Sequence, residues 1–211
     1  MASCSLHREV STLTQGKAMA EKALEAAREA GIESVTSNAV TMDQIEGTIS
    51  VDFDGNEIPI DDGTIEVNGE LNLTSEGVEG NVATQRASGS AEVLLNAVPL
   101  TLKIQGKSYD VTVDGTMTEG FSGTREVTRD EGDEPSFPTA IESQLTIEVT
   151  TDGMEFTGDV DGSIESMDVT MDITGSLLEG EPEVACEGTI HFKIEMLNAS
   201  CTVTTDCQSC D

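Results

Sequence analysis

The sequence predicts an all-β protein, an antiparallel meander or up-and-down barrel, closed or open, of about 10–12 strands. One N-terminal α-helix is expected to pack on or beside it. Three observations point there. From residue 45 onward, apolar and polar residues alternate with period 2 over long stretches, the mark of half-buried strands. The polar phase is filled by Asp, Glu and Thr, so each strand has one apolar and one solvated face, as antiparallel sheets do. Ahead of these strands lies one stretch rich in strong helix formers, and no second one follows.

In chain order, residues 1–14 read as a tether or processed N-terminus, short and without period. Residues 15–31 read as the helix, built from Ala, Glu, Lys and Leu. Its apolar stripe, Ala20, Ala23, Leu24 and Ala27, is thin, which suits packing flat on a sheet, and Gly31 is a natural stop. Residues 45–211 form a single β domain with a Cys-rich C-terminal end.

Within that domain Ile49, Val51 and Phe53 alternate with acids and Ser, and Ile65 to Leu73 continue the pattern. Leu100 to Ile104 and Tyr109 to Val113 flank Gln105-Gly106-Lys107-Ser108 as a hairpin. Leu145 to Val149 and Met154 to Val160 flank Thr151-Asp152-Gly153, which reads as a second hairpin. Asn68-Gly69, Asp114-Gly115 and Asp161-Gly162 resemble turn dipeptides. Parity argues otherwise, because apolar residues stay on one face if the strand runs straight through each pair. These glycines are therefore expected inside strands, as bends or close-approach points. A parity switch between Ile164 and Met167 predicts a bulge at Glu165-Ser166. Met167 to Ile173 form another strand, and Ile190 to Met196 the last long one. The three Gly-containing strands recur 46 and 47 residues apart, consistent with successive hairpins or with duplication. The loop 130–139, acidic and with two Pro, reads as a solvated connection.

Charge excludes partners. With 41 Asp+Glu against 10 Lys+Arg, the net charge is −31. A phosphate backbone repels such a chain, so nucleic acid is excluded, and so is electrostatic adsorption to anionic membranes. Cations are expected as screening counterions. Calcium is the one cofactor worth weighing. Asp52, Asp54, Asp159 and Asp161 supply hard oxygen ligands at close spacing, but neither pair fits the twelve-residue loop.

Five cysteines define the compartment. Cys186, Cys201, Cys207 and Cys210 cluster at the C-terminal end and are expected as two disulfides, their pairing open among three possibilities. The alternatives are a zinc site or a redox pair at Cys207-Gln-Ser-Cys210. Cys4 follows Met1-Ala2-Ser3, which resembles the tail of a bacterial lipobox. The resemblance implies a lipidated Cys4 that anchors an exported chain. The alternative is an ordinary start followed by a stray cysteine.

Catalytic signals are weak. His7 falls in the tether and His191 on the polar side of a strand, and no Ser-His-Asp or HExxH grouping is present. One Tyr and no Trp disfavour ligand platforms built on aromatic stacking. The expectation is an exported, lipid-anchored bacterial protein of the periplasm or outer surface, or a secreted one, with a binding or structural role and no enzyme activity. The competing expectation is a carrier holding a lipid or other hydrophobic ligand in a curved sheet, with room left by Gly69, Gly115, Gly162, Met154, Met167 and Met171. An enzyme of unknown class is the third.

Overall fold

The computed structural model describes residues 11–36, 47–129, 138–177 and 182–211. It is antiparallel β with a single helix, as the period-2 pattern predicts. The helix α1 spans Thr12–Thr36. The strands are β1 Thr48–Asp52, β2 Asn56–Ile60, β3 Gly63–Glu79, β4 Val82–Ile104, β5 Lys107–Arg129, β6 Pro138–Thr151, β7 Met154–Gly158, β8 Gly162–Ser176, β9 Glu183–Ile194 and β10 Leu197–Thr202. They form one sheet in the order β1-β3-β4-β5-β6-β8-β9-β10, with β2 on β3 and β7 between β5 and β8.

The helix begins earlier than composition suggests. Ser11 caps it, its Oγ accepting the Thr14 N–H at 3.2 Å, so residues 12–14 are helical rather than tether. It also runs through Gly31 to Thr36. Gly31 is not a stop because its backbone stays helical, outside the positive-φ glycines. Its place is set by packing: a Cβ there would lie 2.8 Å from Ile147 Cδ1, and a Cβ on Gly16 would overlap the Phe192 ring. A glycine inside a helix costs about 1 kcal/mol against alanine. Here the two glycines, about 22 Å apart along the axis, let the helix seat closely on the sheet.

That seat is deep. Met19, Ala20, Ala23, Leu24, Ala26, Ala27 and Ala30 are all buried, while Glu25, Glu29 and Glu33 face solvent. The helix packs on β2, β3 and β4 and also on β8, β9 and β10, both ends of the strand order. The sheet therefore curves around α1, and α1 fills its concave side. The four-residue stripe visible in sequence understates this, because alanines off the stripe are buried too.

Strand register confirms the straight passage at Gly69, inside β3, and at Gly115, inside β5. Both have φ +157, and a Cβ at Gly69 would collide with the Ser90 carbonyl of β4. The hairpin expected across 105–108 forms, with its turn confined to Gln105-Gly106, since Ile104 lies opposite Lys107 and Lys103 opposite Ser108. The expected bulge falls between Ile164 and Ser166.

Two expectations exchange places. Thr151-Asp152-Gly153 is not a hairpin: β7 continues β6 along β5, with Thr118 opposite Thr150 and Gly115 opposite Met154. One extra residue switches the inward face from Val149 to Met154, which is a bulge. Thr151 stitches it, its Oγ1 donating to the Thr116 carbonyl at 2.6 Å. The true reversal lies at 159–161, because Phe156 already pairs with Gly162. Asp161-Gly162 therefore ends a turn rather than lying mid-strand, and the buried Val160 read as a strand residue only by its hydrophobicity. Met196 is likewise not on a strand: it is fully exposed at the β9–β10 turn, and β10 follows it.

Candidate functional site

The bulge in β4 between Leu95 and Val98 lies level with those at Thr151–Gly153 and Glu165. The inward row beside them, Leu95, Gly115, Met154, Ile164 and Phe192, crosses five strands. It ends at the ring against Gly16. Ala97, at φ 52, leaves the ladder, and its N–H is taken by Asp114 Oδ1 at 2.8 Å. Bulges bend the strands that carry them, and along this row the sheet meets the helix, with Phe192 against Gly16 and Gly162 beside Met19.

Two polar clasps grip the first half of α1. Lys22 reaches Glu25 at 2.7 Å and Asp61, in the β2–β3 turn, at 2.9 Å. Burial pushes the ammonium down, but its bonds to Glu25 and Asp61 outweigh that and hold it above its ordinary value. Asp61 Oδ2 also accepts the Thr101 N–H at 2.9 Å. Burial opposes its charge, but Lys22 and the Thr101 amide keep the carboxyl below its usual range.

The second clasp is the Cys-rich end. Cys186 is bonded to Cys207 and Cys201 to Cys210, with Cα atoms 5.2 and 5.4 Å apart. The four clustered cysteines thus form two disulfides, one of the three open pairings, and the zinc and redox-pair readings give way to it. The bridged tail folds back on β10, where Thr202 and Asp211 exchange backbone hydrogen bonds at 2.9 Å. The Cys210 amide donates to Glu21 on α1, whose carboxyl burial raises and this bond partly restores. Between α1, β4 and the tail lies an open cleft of about 280 Å³ lined by Lys22, Thr101, Lys103 and Gln208 among others.

A surface groove of about 740 Å³ lies on the outer face of β6, β8, β9 and β10. Asp152, Asp168, Glu187, Ser166 and His191 line it. His191 is exposed, as its strand phase predicts. Strand pairing sets Ser166 opposite His191, a neighbourhood that sequence spacing hid because the bulge shifts the register. Among the described residues no hydrogen bond joins the two, and none orients the imidazole. The groove offers carboxylates and hydroxyls, which suit hydrogen bonding and cation attraction.

The acids weighed for calcium close turns. Asp52 Oδ1 accepts the Asp54 N–H at 2.9 Å. Asp159 Oδ2 accepts the Asp110 N–H at 3.0 Å, and Asp161 Oδ1 the Gly158 N–H at 2.9 Å. The two pairs sit in separate turns, β1–β2 and β7–β8. Among the described residues, no group of three or more His, Cys, Asp or Glu is placed to hold a metal ion. Cys4, His7 and most of the loop 130–139 lie outside the described residues.

Sequence reading missed the inward-facing polar residues. Arg125 is buried in β5, where its Nε donates to Gln85 Oε1 at 2.8 Å, and burial lowers it to about 10. Glu119, also in β5, is 0% exposed, and neither carboxylate oxygen has a hydrogen-bond partner among the described residues. Burial alone raises it to about 8. One signal was present: the inward phase Val111, Val113, Met117, Phe121 puts Glu119 on the core side.

Fold and site together define an acidic, disulfide-tied antiparallel sheet wrapped on a single helix. Compared with known protein families, with curated proteins and with solved structures, the chain matches none. Disulfides persist in oxidising compartments, so the two bridges point to a non-cytoplasmic location. Among the described residues no helix is long and apolar enough to cross a membrane.

Proposed function

We propose that this is an exported protein of the bacterial cell envelope, tethered through a lipid on Cys4, with a structural or binding role and no catalysis. Its working surface is the acidic outer face of the sheet. The observation that carries this reading is α1 filling the concave side. Gly16 lies against Phe192, Gly31 against Ile147, and Met19 reaches Gly162. Those contacts occupy the space a carried lipid would need. Support for the tether is that the other four cysteines pair among themselves, which sets Cys4 apart.

The test has two arms. Titration of the purified protein with a fluorescent fatty acid should show no saturable binding, whereas one-to-one binding overturns the reading in favour of a carrier. Cells expressing the chain with its native upstream sequence should place it in the membrane fraction, labelled by palmitate. A Cys4→Ala variant should lose the label, and label retained by that variant overturns the tether.

A further inference from the structure

Glu119 lies at the centre of an inward row running Gly69, Ala91, Glu119, Val149, Val169, Gly188 across β3, β4, β5, β6, β8 and β9. The rows on either side run Val67, Val93, Met117 and Leu71, Gly89, Phe121, Ile147, Met171, Cys186. None of these residues carries a titrating group, since Cys186 is in a disulfide. Above the carboxyl sits α1 at Gly31, where an added Cβ would stand 3.7 Å from Glu119 Oε2. The charged residues of α1 nearest Gly31 are Arg28, half-buried and 4.0 Å from Glu29, and Glu29 and Glu33, both exposed to solvent. The inward-facing Arg125 is six residues away along β5, about 20 Å. Among the described residues no cation reaches Glu119, and no donor satisfies it.

A buried carboxyl without a partner is stable only while neutral. Ionised, it must gain water, and α1 above it, unlike β4 and β6 on either side, is not tied to β5 by a strand ladder. We infer that Glu119 is a proton switch for the seating of the second half of α1: neutral, it lets Ala27–Val35 dock on the sheet, and ionised, it lifts that half while the clasps at Glu21 and Lys22 hold the first. Lifting uncovers Ile147 and Met171, the apolar floor beneath Gly31. The inference does not depend on the proposed function.

With an open-state carboxyl near its ordinary 4.5 and a docked one near 8, the opening equilibrium rises about tenfold per pH unit between those values and then levels. Amide hydrogen exchange on the full chain, expressed as protection factors from pH 5 to pH 9, reads it by segment. Protection of Ala27–Val35 should fall about tenfold per unit up to pH 8 and then flatten. Protection of Lys17–Leu24 should not follow. In Glu119→Gln the fall should vanish. An equal fall in both proteins, or none in the wild type, overturns the switch. If the Gln variant does not fold, carbon NMR titration of the wild-type Glu119 carboxyl decides: a midpoint above pH 7 supports the switch, and one below it overturns it.

Discussion

In its first half α1 is held by charge, with Lys22 on Glu25 and Asp61 and with Glu21 on the Cys210 amide. In its second half Ala26, Ala27, Ala30 and Gly31 rest on apolar strands above a Glu119 that no described residue satisfies. Two carboxyls that meet this helix, Asp61 and Glu119, answer protons in opposite directions, while Glu21 shares the upward shift of Glu119. Asp61 lies below its ordinary value, so its contribution exists at neutral pH and is lost as pH falls through the carboxylate range. Glu119 lies above its ordinary value, so its docked form is favoured at low pH and loses ground as pH rises from 4.5 toward 8. Small apolar contacts allow close approach, whereas ion pairs give direction, and the helix uses each where the sheet offers the matching surface.

The largest expected effect sharpens the second half of that comparison. Between pH 5 and pH 8 the wild type should lose about 3.5 kcal/mol that Glu119→Gln retains, since the slope of about 1.36 kcal/mol per pH unit is reduced near both ends of the titration. Urea unfolding of both proteins at the two pH values measures the difference. Equal pH slopes would remove Glu119 from the account. Next comes the Cys-side clasp. Replacing Cys201 and Cys210 together by Ser opens a loop of sequence separation 9 and should cost about 3 kcal/mol. The loss should be accompanied by faster exchange at Lys17–Leu24 and unchanged exchange at Ala27–Val35. Uniform loosening of the whole helix would erase the distinction between halves. The smallest effect is at the other clasp. Lys22→Met keeps the apolar stem but drops the ion pairs, for about 1 kcal/mol. It should also flatten the loss of stability below pH 4, visible as a smaller gap in melting temperature between pH 3 and pH 7.

The strands were legible because burial on one face writes itself into the sequence every second residue, as in Ile65 to Leu73. The bulge at Glu165 was legible for the same reason, through a switch of parity. Turn and bulge were not separable at Thr151-Asp152-Gly153 and Asp161-Gly162. Both devices use Asp-Gly and both change phase, and only the partner strand tells them apart. Helix length was hidden at both ends: Ser11 caps through a hydroxyl, and Gly31 is retained for room rather than for a left-handed backbone. The disulfide cluster was legible from spacing, its pairing was not, since that depends on where β9, β10 and the tail meet. Glu119 stood in an apolar phase of its strand, but among 41 acids one out of phase draws no notice until burial is measured.

The account rests on α1 lying tightly inside the sheet, and Gly16 tests that by sign. On a loosely attached helix, Gly16→Ala should stabilise by about 1 kcal/mol through helix propensity, raising the melting temperature by roughly 2–4 °C. In the seated helix the added methyl meets the Phe192 ring, and overpacking of that kind costs roughly 1–3 kcal/mol. Differential scanning calorimetry of the two proteins side by side decides. A lower melting temperature for Gly16→Ala is the predicted result, and a higher one would contradict a sheet built around its helix.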